Sequence, residues 1–461
     1  MMRTIVWVIF LLIAAAIFRI FFLDLIEFKG DEASTVYDMQ QFFDHPYLFQ
    51  VGTRQSVGFF SPPLYNYLIA IISIPSRHPQ SISFIIAILN TFSVAIFYLI
   101  TRRYYPESIA RLSSLLLALS PIAVLFSRKI WSTDVILPLV LPYFYFIHEV
   151  ILKKNTKACF GLFLTFSLLI QLHPTGLFLM MATLITLLYQ KVRVNWKKAA
   201  AGFLIGTIFA LPFFYRQISS DPPCPDCILL LENQTASNLP FDLRHIILPF
   251  QAVNGLYHKN ELGPDYRLFL LNYPIVNLTN TVMMITFFFP IFSAYFIYKK
   301  RKKYFFLVLI TILLIPFYII TRTRFSMHYF MVVLPFIVLL YVLFLKFLTQ
   351  KVKMVFLLIF SCLVISNLIF LASFYSFLGQ KRLISGPYGN IFAVTEEFIE
   401  IQTKGYKNLF QYPQIRIYAY VFSQFPPFHQ RMGEYFTSVG LLLQATSEFK
   451  KAISENPQRA K

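Results

Sequence analysis

Charge is scarce in this sequence. Asp and Glu number 21 among 461 residues, and all charged residues together make up 13%, where a soluble domain carries about 25%. Glycine is scarce too, with 15 residues, and no Gly-x-Gly pair occurs. That removes the dinucleotide fingerprint and the phosphate-cradling loop, which both need bare backbone close to a phosphate. No His-x-x-x-His pair occurs either. Nothing here points to nucleotide-driven chemistry. What the chain has in quantity is hydrocarbon: 57% hydrophobic residues, 53 of them Phe. Lipid rather than water suits such a surface, so the composition predicts an all-α polytopic membrane protein. The net charge is +20, but the Lys and Arg residues stand in short clusters between apolar runs. That is the positive-inside pattern, and no nucleic-acid partner is expected, since no element offers a basic face of its own.

Apolar runs of spanning length occur near residues 4–23, 83–100, 108–126, 135–152, 158–172, 175–190, 199–216, 278–298, 304–320, 327–347 and 353–376, about 11 transmembrane helices. A further run, Pro62 to Ile74, has about 13 residues and is short for a core that needs ~20. If it does not cross, one side of the membrane collects Arg102, Arg103, Arg111, Lys153, Lys154, Lys157, Lys191, Arg193, Lys197, Lys198 and the KKRKK run from Lys299 to Lys303. If it crosses, KKRKK faces outward and the bias is lost. The first arrangement is expected, with a cytoplasmic N-terminus, a retained first helix and the Pro62–Ile74 run lying at the interface. The outer side then receives loop 24–82, loop 217–277 and the polar tail. The expected domains are a transmembrane unit, 1–378, and a small outward-facing α/β C-terminal segment, 379–461.

Polar residues forced to the outer face gather at helix ends: Asp31 and Glu32, Asp134 with Arg128 and Lys129, and Arg322, Arg324 and His328. Charges beside hydrocarbon are costly and usually mark a site or a pathway. Interfacial snorkelling accounts for Lys129 and Arg322 as well as a site does, and less well for short Asp and Glu side chains.

The order of these segments carries a resemblance. A first membrane helix, then GDEA (Gly30 to Ala33), then SPPLYNYL (Ser61 to Leu68), then SRKIWSTD (Ser127 to Asp134) resembles the GT-C class of membrane glycosyltransferases. The protein O-mannosyltransferases and the aminoarabinose lipid A transferases are the nearest groups. Many relatives have His or Lys before Pro-Pro-Leu, whereas this chain has Ser61. The resemblance implies a GT-C fold and a polyprenyl-phosphate sugar donor. It implies a lipid, glycan or protein acceptor and a site on the outer face of the plasma membrane. Asp31 matches the family's first acidic position and is the implied general base; Asp134 matches the second.

Elementary chemistry fits these residue types. A phosphate leaving group needs no protonation, so one base suffices where a glycosidase needs two carboxylates. Glu32 would orient the acceptor or neighbouring backbone, or serve as a carboxylate favoured by a helix N-terminus. Arg128, Arg322 and Arg324 are the candidates for the departing phosphate, which guanidinium matches with two parallel hydrogen bonds. His173 and His328 are weaker candidates for substrate contact. Whether Asp134 binds metal, arginine or substrate is left open, as is the need for a divalent metal. Cys224 and Cys227 suit a loop-stapling disulfide in an oxidising outer compartment. The rival reading is a transporter or flippase of lipid-linked saccharides, which predicts paired, interrupted halves; none is visible in the sequence.

The topology is testable by accessibility labelling of Gln50→Cys, Arg301→Cys and Tyr420→Cys in intact cells. Gln50→Cys and Tyr420→Cys should react from outside and Arg301→Cys only after permeabilisation. Outside labelling of Arg301→Cys would overturn the arrangement.

Overall fold

A computed structural model describes residues 2–53, 59–221, 223–225, 251, 253–286, 288–320, 326–348 and 353–395. Among these residues the fold is helical, and extended pairing is limited to two isolated bridges, Glu27 with Ile391 and Leu383 with Asn390. Among the described residues eight helical stretches are long and apolar enough to cross a membrane, where eleven apolar runs are expected to, and two shorter apolar helices cover 156–172 and 175–189. The first is α1 (Met2–Ile20). Its Leu11, Ala15 and Phe18 turn inward, while Ile5, Val6, Ile9 and Ile13 are exposed, a lipid-facing stripe at helical spacing.

Two helices follow in the first loop: α2 (Gly30–Asp44) and α3 (Leu64–Ile72). At ~1.5 Å per residue α3 is roughly 14 Å long, far short of a hydrocarbon core, in line with the reading of Pro62 to Ile74 as a run that does not cross. The helix α2 lies in a stretch that the composition left as loop.

The next apolar runs give α4 (Pro79–Tyr104), α5 (Glu107–Leu119), α6 (Pro121–Leu125), α7 (Ile136–Leu152), α8 (Cys159–Leu172), α9 (Thr175–Tyr189), α10 (Trp196–Gly206) and α11 (Leu211–Ser219). The expected single span 108–126 is divided at Ser120–Pro121. Proline has no N–H to give the carbonyl four residues back. The orphaned carbonyls find another donor: Arg19, fully buried on α1, donates to Leu117 O at 3.2 Å and Ala118 O at 2.6 Å. One guanidinium thereby ends α5 and ties it to α1.

The remaining elements are α12 (His258–Leu262), α13 (Tyr266–Asn272), α14 (Ile275–Thr286), α15 (Phe289–Lys300), α16 (Phe305–Ile312), α17 (Leu314–Ile320), α18 (Leu334–Leu348) and α19 (Lys353–Lys381). Among the spans of the described residues the stretch 327–347, which holds α18, is the most enclosed, 83% buried; other helices present Phe, Leu and Ile outward. Beyond α19 the chain turns back over the first loop: Phe28 N–H donates to Asn390 O and Phe392 N–H to Ile26 O. Residues 396–461, most of the expected α/β C-terminal segment, lie outside the described residues.

The packing of α8 on α10 depends on small residues. A Cβ on Gly202 would sit 2.1 Å from Phe160 O, backbone that cannot yield, as at membrane-helix contacts where backbones approach closely. Gly202→Val should therefore destabilise by about 1–3 kcal/mol or more. Ala201→Val, on the exposed side, should be close to neutral. Unfolding midpoints of the two variants in detergent check this, and equal midpoints would refute the tight contact.

Candidate functional site

The site is assembled at the end of the bundle where α1 stops. Its scaffold is the short loop Ser127–Asp134 between α6 and α7. Asp134 is fully buried and folds this loop: its Oδ1 accepts the backbone N–H groups of Arg128 (3.0 Å) and Lys129 (2.9 Å). Asn90 on α4 donates to Asp134 O at 2.7 Å and Ser127 O at 3.3 Å, fastening both ends of the loop to one helix.

The two cations of the loop point to different places. Arg128 is 2% exposed and reaches the C-terminal end of α1. It donates to Phe18 O (2.8 Å), Phe21 O (3.2 Å) and Phe22 O, with the guanidinium 4.7 Å over the Tyr375 ring. Phe22 O also accepts the Leu25 N–H at 3.0 Å, and a cation suits the negative end of a helix. A donor phosphate reaching Arg128 would have to displace these carbonyls. Lys129 is also buried and forms an ion pair with Glu27, which pairs in turn with Lys29. Burial alone would raise the Glu27 carboxyl, but Lys129 and Lys29 outweigh it and hold it below the ordinary carboxylate value. Burial likewise opposes the charge on Lys129; Glu27 first, then Glu261 and Asp134, push its pKa up instead.

Asp31 and Glu32 open α2 and face opposite environments. Glu32 is 3% exposed, and its Oε2 accepts the Lys29 backbone N–H at 3.0 Å, the reciprocal half of a helix N-cap. Burial, then the neighbouring Glu27, raises its pKa to about 7. Of the two readings of Glu32, the helix-terminal carboxylate is the one its contacts match. Asp31 is exposed, and its backbone carbonyl takes the Thr35 hydroxyl at 2.9 Å.

The imidazoles expected near substrate do come together. The ring centres of His173 and His328 are 5.8 Å apart, with Tyr329 beside both. His328 lies edge-on to Trp131 at 4.5 Å and holds Ser326 through Nδ1. His173 accepts the Thr175 N–H and so begins α9; burial pushes its pKa down to about 3. Lys129 Nζ lies 5.9 Å from the Trp131 ring centre and 5.8 Å from that of Tyr388, which links the histidine wall to the ion-pair cluster. Ser61 is buried and spends its hydroxyl on Thr53 O at 3.1 Å. Arg322, Arg324 and Cys227 lie outside the described residues, and with Cys227 the expected pairing to Cys224. Among the described residues no three His, Cys, Asp or Glu side chains gather to hold a metal ion.

Glu27, Lys29 and Glu261 were not singled out from the sequence. Glu27 had a signal, as a carboxylate three residues ahead of GDEA. Glu261, in loop 217–277, had none, because only the return of the chain after α19 brings it here. Tyr388 N–H donates to Glu261 O, and Tyr388 Oη donates to Leu25 O at 2.6 Å.

The ion pair invites a direct test. Removing one partner of a buried pair leaves a stranded charge and costs about 3–5 kcal/mol, whereas removing both is far milder. Lys129→Met should lower thermal stability strongly, and adding Glu27→Gln should restore most of the loss. Unfolding midpoints of the two single variants and the double variant decide it; additive losses would refute the coupling.

Comparison with known proteins bears on what this arrangement is. Residues 61–217 match the family described as dolichyl-phosphate-mannose-protein mannosyltransferase. A comparison with curated proteins returns no significant match. Among solved structures, ArnT from Cupriavidus metallidurans superposes with a TM-score of 0.56 at 10% identity, covering 87% of this chain and 81% of its own. The Archaeoglobus fulgidus oligosaccharyltransferase gives a TM-score of 0.50 at 14% identity over 92% of this chain. This chain spans 60% of that protein's length. Fold, apolar helices and family match agree, and the chain is a multi-pass helical membrane protein with the GT-C fold.

Proposed function

We propose that the protein is a glycosyltransferase that moves a sugar from a polyprenyl-phosphate donor to a hydroxyl of a lipid, glycan or protein acceptor, at the membrane face where α1 ends. The observation that carries this reading is the inequality of the carboxylates around the site. Glu27 is held by two lysines, Glu32 caps α2, and Asp134 is consumed by two N–H groups. Asp31 is exposed, and among the described residues its carboxylate makes no hydrogen bond or ion pair. It is the one of the four in a condition to take a proton from an incoming acceptor.

In this reading the acceptor oxygen attacks the anomeric carbon as the bond to the phosphate oxygen breaks. The acceptor's proton goes to Asp31, and the bond's electron pair leaves with the polyprenyl phosphate. The growing phosphate charge needs cations nearby. Lys29, 41% exposed beside Asp31, supplies one, and we assign Arg322 and Arg324 the same task. Arg128 and Asp134 act by shaping the loop and ending α1. Trp131 and His328, half-buried neighbours, offer the sugar an aromatic wall. The extracytoplasmic placement of this face in the plasma membrane follows from the basic clusters at the other end of the bundle.

The test is turnover of polyprenyl-phosphate sugars by purified protein, with donor binding measured separately. Asp31→Asn should lose about 10²–10⁴-fold in transfer while binding donor normally, and Glu32→Gln should lose less. Transfer by Asp31→Asn within about threefold of the parent would remove Asp31 as the base. Donor movement across vesicles with no bond formed by the parent protein would favour the transporter reading.

A further inference from the structure

The opposite end of the bundle has a cavity, remote from the site above. Its position follows from the contacts that knit this end together. Arg102, at the end of α4, donates to Thr4 Oγ1 at the start of α1. Arg111 lies over Trp7. Lys346 Nζ, at the end of α18, donates to Ser108 Oγ at the start of α5 at 3.0 Å. Between α5, α15 and α18 a cavity of about 150 Å³ opens, walled by Ile109, Phe296, Leu343 and Phe344. Arg301 and Lys346 stand on its lining.

Three features ask for an occupant. The walls are apolar, so a hydrocarbon chain suits them. Ser293 on the same lining is 1% exposed and its hydroxyl has no hydrogen-bond partner, a state that costs about 1–3 kcal/mol until an acceptor or donor arrives. The cations are uncompensated. Glu107 is taken by Arg102 and Arg111, and Glu149 by Arg103. Among the described residues neither Arg301 nor Lys346 pairs with a carboxylate. A basic pocket between membrane helices, with the lysines of the Lys299–Lys303 run beside Arg301 in the chain, is an attractive place for an anionic headgroup.

We propose that this cavity binds an anionic phospholipid of the leaflet at the basic end of the bundle. Part of one acyl chain lies against Phe296 and Phe344, a lipid oxygen meets Ser293, and the phosphate sits between Arg301 and Lys346. The cavity volume admits part of a chain and no more, so the second chain and the rest of the first remain in the bilayer. Bound there, the lipid adds a bridge between α5, α15 and α18, which also pack directly on one another, as in the Lys346–Ser108 hydrogen bond and the Phe296–Phe347 ring contact.

The experiment is native mass spectrometry of the full chain in neutral detergent, titrated with phosphatidylglycerol or phosphatidylcholine. Phosphatidylglycerol should bind more tightly. Arg301→Gln with Lys346→Gln should weaken it by roughly fivefold per cation and leave phosphatidylcholine unchanged. Ser293→Phe, which fills the cavity and keeps the charges, should also abolish the phosphatidylglycerol preference. Lys153→Gln with Lys154→Gln removes as much charge from exposed positions at the same end and should keep it. Equal binding of the two lipids would overturn the proposal. So would an equal loss in the Lys153 and Lys154 pair, or full competition by glycerol phosphate, which has no chain. These outcomes are independent of the transfer reaction.

Discussion

The buried pair of Lys129 and Glu27 is the constraint on which the candidate site depends. Two charges withdrawn from water must be matched closely or the fold carries their desolvation unrelieved. Meeting that demand ties together three parts of the chain far apart in sequence. Glu27 belongs to the segment leaving α1, Lys129 to the loop before α7, and the Lys29–Pro387 contact and the Glu27–Ile391 bridge bring in the segment after α19. Asp31 and Glu32 begin the very next helix, so fixing Glu27 and Lys29 also fixes the direction in which α2 sets out.

A second economy runs through the same region. Arg19 and Arg128, both enclosed, are spent on backbone carbonyls at helix ends rather than on carboxylates. In hydrocarbon an unpaired carbonyl is expensive and water is absent to answer it. A guanidinium donates in several directions at once and stays charged, so it can end a helix and join it to a neighbour. Arg19 does this where Pro121 interrupts α5, and Arg128 does it where α1 stops. The loop Ser127–Asp134 is therefore anchored to the membrane helices by main-chain contacts, close to the segment that carries Lys29 and Asp31.

Much of this was legible in the amino-acid order. The apolar runs became helices, and Pro62 to Ile74 became a helix too short to cross. Glu27, just ahead of the acidic pair, is tied to the loop Ser127–Asp134 through Lys129, and His173 and His328, separate candidates in the sequence, meet. Less legible was which polar side chain would be left open. Arg128 and Lys129 are adjacent and equally basic, yet one addresses helix carbonyls and the other a carboxylate. Asp31 and Glu32 are adjacent and equally acidic, yet one is exposed and the other buried.

The sequence by itself determined that the chain lives in lipid and where its apolar runs lie. Composition and run length are enough for that, because transfer into hydrocarbon depends on how much apolar surface a run presents, whatever its neighbours. Only the tertiary structure decided the partners of each charge. Pairing depends on distances of a few ångströms between residues about 100 to 360 positions apart, such as Glu27 with Lys129 and Lys29 with Pro387. No local pattern encodes such distances; the return of the chain after α19 sets them, and with them which carboxylate remains exposed.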